Sequence, residues 1–254
     1  MSTSCRSETE GQRIQQRNSH VRLAVILYNV TVVVKNEVLL DSHRKGDNLT
    51  RILLVRHGET ELQSSLRYWG KTDVALGPDG LHQAEQLRDR LAAEKIAGIY
   101  SSELKRANDT AVIIAARHNL RVTTCPELRE VDFGRLEGLD FTEIHQQFPE
   151  IEKMWITRDP ALVYPDGESL IGFEERVAKF QTRLQNHRTD ETILVVAHAG
   201  VVRTLICQLL ELGMQNRWSL RVDLGSLSIV EIYPEINILC LLNDVSHLMA
   251  ERNS

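Results

Sequence analysis

Two histidines stand where a short apolar run ends and a small residue follows. His57 comes after Arg51-Ile52-Leu53-Leu54-Val55-Arg56 and before Gly58, and His198 comes after Thr192-Ile193-Leu194-Val195-Val196-Ala197 and before Ala199-Gly200. An imidazole at such a point can serve as base, ligand or nucleophile, and its neighbours decide which. Arg56 beside His57 disfavours the imidazolium, so the ring stays neutral and nucleophilic while the guanidinium holds a phosphate. That pairing argues for phosphate rather than a metal. Phosphoryl transfer also needs cations fixed around the transferring oxygens and a proton source for the leaving alcohol. In the segment Ser101 to Ala111, Arg106 falls in the first turn of an expected helix, whose N-terminus itself favours an anion. The glycine-punctuated stretch Glu127 to Gly138 supplies several carboxylates, any one of which could be the acid.

The elements that must position these residues alternate from residue 51 onward. Residues 51–55 and 192–197 are short apolar runs of the kind found in a sheet covered on both faces. Between them, a helix opens at Pro78-Asp79-Gly80 with Leu81, Ala84, Leu87 and Leu91 at helical spacing and Asp79 as N-cap. A brief strand, 98–100, precedes a second helix carrying Leu104, Ala107, Ala111, Ile114 and Ala115 on one face, which Ser101-Ser102 can cap. A strand over 121–125 comes next, then a looped, partly helical excursion from Pro149 to Gly167 of the sort that covers a site. Leu170, Phe173, Val177, Phe180 and Leu184 form the stripe of an amphipathic helix over 168–186. An apolar helix follows from Val201 to Leu212, and strands at 226–232 and 237–242 close the sheet. This order predicts an α/β fold: a three-layer α/β/α domain with a largely parallel central sheet, whose strand carboxyl ends form the ligand site. Residues 1–50 read as an N-terminal extension, a β-hairpin over 22–40 plus linker or a weakly ordered tail, ahead of a catalytic domain over 51–254.

The 254 residues carry a formal net charge of -5, which gives no basic face for nucleic acid. The longest apolar stretch, Leu23 to Val34, falls short of a membrane span, and the first residues do not read as a signal peptide. The expectation is a cytoplasmic protein with no membrane partner, in which Asn29-Val30-Thr31 is not a used glycosylation site. Cys5, Cys125, Cys207 and Cys240 form no C-x-x-C pair and read as reduced thiols, three of them in apolar surroundings.

Five ordered motifs resemble the histidine phosphatase superfamily, which includes the cofactor-dependent phosphoglycerate mutases. They are Arg56-His57-Gly58-Glu59-Thr60; Trp69-Gly70-Lys71-Thr72-Asp73 with Leu76-Gly77-Pro78-Asp79-Gly80; Ser101 to Ala111; Leu128 to Gly138; and Ala197-His198-Ala199-Gly200. The similarity spans 51 to about 232. It implies that His57 accepts the phosphoryl group, that Arg56, Arg106 and His198 form the phosphate pocket, and that Glu130 is the proton donor. Gly58, Glu59, Thr60, Gln63 and Gly70 join the phosphate- and substrate-binding set by the same resemblance. Gln63 stands where the family usually has asparagine, and Ala199 where a glycine is common. The domain is shorter than the mutases, so hydrolysis of a small phosphomonoester without metal or cofactor is expected. Tyr164-Pro165-Asp166-Gly167-Glu168-Ser169 and Arg217 to Ser226 resemble the corresponding stretches of α-ribazole phosphatases, implying α-ribazole 5′-phosphate as substrate and a role in cobalamin biosynthesis. Broad-specificity sugar-phosphate hydrolysis and mutase-like transfer stay open, as do a non-catalytic phosphate-binding module and a metal site built from His57, His198 and Glu59. Monomer and homodimer are both compatible with the sequence.

Overall fold

The computed structural model describes residues 49–62, 67–184, 187 and 189–249. All but the end of the expected N-terminal extension, including the hairpin over 22–40, and Gln63 lie outside the described residues. Six strands build one sheet: β1 Thr50–Arg56, β2 Ile96–Ser101, β3 Val122–Thr124, β4 Thr192–Ala197, β5 Leu227–Ile232 and β6 Asn237–Asp244. Their order is β3-β2-β4-β1-β5-β6. The pairings from β3 through β1 are parallel, whereas β5 and β6 run antiparallel at one side. The helices are α1 Pro78–Leu91, α2 Lys105–Ala115, α3 Phe141–Gln147, α4 Pro149–Thr157, α5 Leu170–Leu184 and α6 Ala199–Leu209. None of the described helices is long and apolar enough to cross a membrane.

The central strands are continuous apolar runs because both of their faces are covered. Alternate residues feed two cores. Ile52, Leu54, Ile193, Val195 and Val230 pack with the α5 stripe and with Val201, Val202, Leu205 and Ile206 of α6. Leu53, Val55, Leu194, Val196 and Ile229 pack with Leu87 and Leu91 of α1 and Ala107, Ala111 and Ile114 of α2. Both helix layers are thereby anchored to strands β1 and β4, the pair that carries the two histidines.

Several local readings are corrected. Gly77 occupies the N-cap of α1 without a side-chain bond, and Asp79 lies inside the first turn, where it complements the helix dipole. Leu104, not a serine, is the N-cap of α2, although Ser102 Oγ still accepts the Leu104 N–H at 3.3 Å. The helix expected from Val201 begins at Ala199, directly after His198. Helix α3 was not anticipated. Asp140 and Glu143 form a reciprocal capping box there, and that D-x-x-E spacing is visible in the sequence. Cys125 and Cys207 are buried but Cys240, on the edge strand β6, is exposed.

Candidate active site

The parallel register of β1 against β4 sets Arg56 opposite Ala197. The next residue on each chain is a histidine, so His57 and His198 emerge side by side at the strands' carboxyl ends. The His57 N–H donates to the Ala197 carbonyl at 3.0 Å, and the two rings meet edge to face with centroids 5.0 Å apart. Both are buried. His57 Nδ1 lies 2.7 Å from the Gly58 carbonyl oxygen. A carbonyl can only accept, so in the neutral ring Nδ1 carries the hydrogen and Nε2 keeps the lone pair. His198 Nε2 lies 2.9 Å from Ser102 Oγ, and its buried Nδ1 has no hydrogen-bond partner among the described residues.

Burial, then Arg106, then Arg56 hold the His57 pKa well below the ordinary imidazole value. Burial and Arg106, with smaller contributions from His57, Arg56 and Arg176, do the same for His198. Neutral imidazoles next to cations are what a nucleophilic histidine in an anion site requires. The cations are fixed by backbone carbonyls rather than by acids. Arg106, on the first turn of α2 and only 2% exposed, donates to the carbonyls of Gly70 at 2.7 Å and Thr72 at 2.8 Å. Arg56 donates from Nη1 to the Val222 carbonyl at 2.8 Å, and its buried Nε has no partner among the described residues. Burial pulls the Arg56 pKa down to about 10, against the raising influence of Glu130. Carbonyl dipoles orient a guanidinium without neutralising it, so each keeps its charge for an anion.

Glu130 precedes Val131 on the loop after β3. Its Oε1 accepts the Val131 N–H at 3.0 Å and its Oε2 accepts the N–H of Gly200, in the first turn of α6, at 3.1 Å. Arg56, His57, Thr60, Arg106 and Glu130 all line one cavity of about 580 Å³. Gly58, Glu59 and Gly70, expected to bind phosphate or substrate, are not among the residues that line it. The Gly58 N–H donates to Thr110 Oγ1 at 3.3 Å, the Glu59 N–H donates to Gln83 Oε1 at 2.9 Å, and Gly70 supplies the carbonyl that holds Arg106. Among the described residues no three His, Cys, Asp or Glu side chains gather as a metal site, Glu59 with the two histidines included.

The sequence motifs include Trp69, Phe133, Tyr164 and Trp218 but assign no role to the aromatic residues of the cavity wall. Tyr68, Phe133, Trp155 and Tyr164 form an interlocked aromatic group with centroids 5.1 to 6.2 Å apart, and Trp69, Phe173 and Trp218 line the same space. These residues come from loops and helices far apart in the chain, so no local spacing announces them. Arg203 also lines the cavity; its Nε donates to the Leu220 carbonyl at 2.8 Å, and burial lowers its pKa. It lies one helical turn beyond Ala199 and Gly200, a spacing that could have flagged it.

Known proteins resemble this chain in sequence and fold. The family description "Histidine phosphatase superfamily (branch 1)" matches residues 52–245. Phosphoserine phosphatase 1 of Hydrogenobacter thermophilus is 32% identical over 200 residues, covering 79% of this chain and 95% of that protein. The adenosylcobalamin/α-ribazole phosphatase of Escherichia coli K12 is 32% identical over 193 residues, covering 76% and 95%. The crystal structure of the α-ribazole phosphatase from Shigella flexneri superposes with a TM-score of 0.71 at 32% identity, covering 76% of this chain and 96% of that one. The chain belongs to branch 1 of the histidine phosphatase superfamily and is a phosphatase.

Proposed function

We propose that this protein hydrolyses phosphomonoesters through a phosphohistidine on His57, with α-ribazole 5′-phosphate as its substrate. The observation that carries the mechanism is the His57 Nδ1 bond to the Gly58 carbonyl, which leaves the Nε2 lone pair for attack in a cavity that also holds Arg56, Arg106 and Glu130. Nε2 attacks phosphorus in line, the ester P–O bond breaks, and the departing oxygen takes a proton from the Glu130 carboxyl. Water then attacks the phosphohistidine, Glu130 takes its proton, and the P–N electrons return to Nε2 as phosphate departs. Arg56, Arg106 and the unpartnered Nδ1–H of His198 stabilise the three equatorial oxygens in both steps. The Ser102 hydroxyl supports that His198 tautomer by donating to Nε2.

The cavity wall supports this choice of substrate. About 580 Å³ lined by Tyr68, Trp69, Phe133, Trp155, Tyr164 and Trp218 suits a leaving group bearing an aromatic ring, such as the benzimidazole nucleoside of α-ribazole. A second reading rests on Arg158 and Arg203, which line the same cavity without an ion-pair partner among the described residues and would suit the carboxylate of phosphoserine. Changing His57 to Ala is expected to abolish both turnover and acid-labile labelling by substrate; a labelled, active variant overturns the mechanism. Comparing kcat/KM for α-ribazole 5′-phosphate, phosphoserine and simple sugar phosphates decides the leaving group. A higher value for phosphoserine would replace the first substrate with the second.

A further inference from the structure

A single guanidinium gathers the backbone that carries Glu130. Arg176, in the second turn of α5, donates from Nη1 to the carbonyl oxygens of Glu127 at 2.9 Å and Arg129 at 2.8 Å. Its Nη2 reaches the carbonyl of Glu130 itself at 3.4 Å. The other edge of the same fork is bidentate to Glu168, with Nε to Oε1 and Nη2 to Oε2 both at 2.8 Å. Both side chains of that ion pair are largely withdrawn from solvent, at 18% and 20% exposure, and the guanidinium also sits over the Phe173 ring with 5.1 Å to its centroid. Three carbonyl oxygens converging on one point repel one another unless a cation with several fixed donors lies between them. Only arginine has the planar set of donors for this.

From this geometry we infer that Arg176, oriented by Glu168, is the positioning residue that aims the Glu130 carboxylate at the leaving oxygen. The inference rests on Glu130 being the acid, and it adds how that acid is held. Near the tip, Glu130 is fixed by the N–H groups of Val131 and Gly200; at its backbone it is fixed by Arg176. The two restraints come from different elements, α6 and α5. The second helix of that pair therefore serves the chemistry without lending an atom to the phosphate. A displacement of about 1 Å at a reacting group costs on the order of a hundredfold in rate. A loosened loop therefore weakens proton donation far more than it weakens phosphate binding.

The test uses the leaving group as its readout. Arg176→Lys keeps the positive charge but cannot span Glu168 and the carbonyls together, and Glu168→Gln loosens the fork from its other side, so that one variant covers for the other if either folds poorly. Single-turnover phosphorylation is measured with an alkyl phosphate, whose alkoxide needs a proton, and with p-nitrophenyl phosphate, whose phenolate leaves without one. The expected result is a fall of about 10- to 100-fold in the alkyl-to-aryl rate ratio for both variants, matching in direction the ratio change of Glu130→Gln. Equal loss on both esters means that Arg176 merely supports the fold, and wild-type rates on both mean it has no role; either overturns the inference. If Glu130→Gln shows the ratio change and the Arg176 and Glu168 variants do not, only the positioning role fails. If Glu130→Gln itself leaves the ratio unchanged, the acid assignment fails and the positioning role falls with it.

Discussion

Gly200→Ala should leave this protein folded but slightly less stable and much less active. Gly200 lies in the first turn of α6 with ordinary helical backbone, so alanine is conformationally welcome there and improves helix stability by about 0.5–1 kcal/mol. A Cβ at that position, however, overlaps Oε1 of Glu130 and comes within 3.2 Å of its carboxyl carbon, while the Phe173 ring at 3.4 Å is in ordinary contact. The flexible partner in this collision is the carboxylate, which must withdraw by about 1 Å and give up the Gly200 N–H. Misplacement of that size costs on the order of a hundredfold in rate, equivalent to about 2.7 kcal/mol of transition-state stabilisation. Losing the Gly200 N–H bond to the carboxylate costs about 1.5–3 kcal/mol and outweighs the helix gain, so the melting temperature should fall by about 1–8 °C. Steady-state kcat/KM on an alkyl phosphate, set beside a thermal melt of the same preparation, reads both effects. Full activity in a folded Gly200→Ala protein would refute the reasoning, because it would mean that the Glu130 carboxylate does not work from the position it holds against α6.

Four other outcomes are expected. Because the folded-state pKa values of His57 and His198 lie below the unfolded value of about 6.5, the unfolded chain binds more protons just below that pH; stability is fully present above it and is lost as the pH falls toward 5. Melting temperatures from pH 7.5 to 5 should show this slope, and His57→Asn should flatten it; parallel slopes would contradict it. Gly58→Ala places a Cβ 2.9 Å from Gly80 Cα, backbone that cannot swing aside, and should cost about 1–3 kcal/mol in urea unfolding together with most activity. Ser102→Ala removes the partner of His198 Nε2 and leaves a buried nitrogen unsatisfied; kcat should drop about tenfold with a stability loss of about 1–3 kcal/mol. Trp218→Ala, which opens the aromatic wall, should raise KM about tenfold for α-ribazole 5′-phosphate and little for phosphoserine, as read from paired saturation curves.

Much of the fold was legible because its signals are local. The apolar runs 51–55 and 192–197 have the length and composition of strands covered on both faces, and the stripe from Leu170 to Leu184 has the spacing of one face of a helix. Where the reading slipped, two local options competed. Asp79 is a good cap, but Pro78 fits the first helical position so well that the helix begins two residues earlier and Gly77 takes the cap. The short helix α3 announced itself only by its capping box, since seven residues give too little periodicity to register. Cys240 follows the alternation of a strand, but β6 is an edge, so one of its faces looks outward.

Residue chemistry and strand order along the chain determined that His57 and His198 sit at strand ends and that Arg56 and Arg106 are available beside them. Which strands are neighbours was decided only by the tertiary structure. β1 and β4 are separated by more than a hundred residues, and their pairing in register, Arg56 against Ala197, is what puts two imidazoles 5.0 Å apart. The same holds for the carbonyl cradle of Arg106, the Arg176 clamp and the aromatic wall. Each is a contact between segments distant in sequence, fixed by how two helix layers close over the sheet. Spacing along a chain records which side chains share an element, whereas the distances between elements are set by packing.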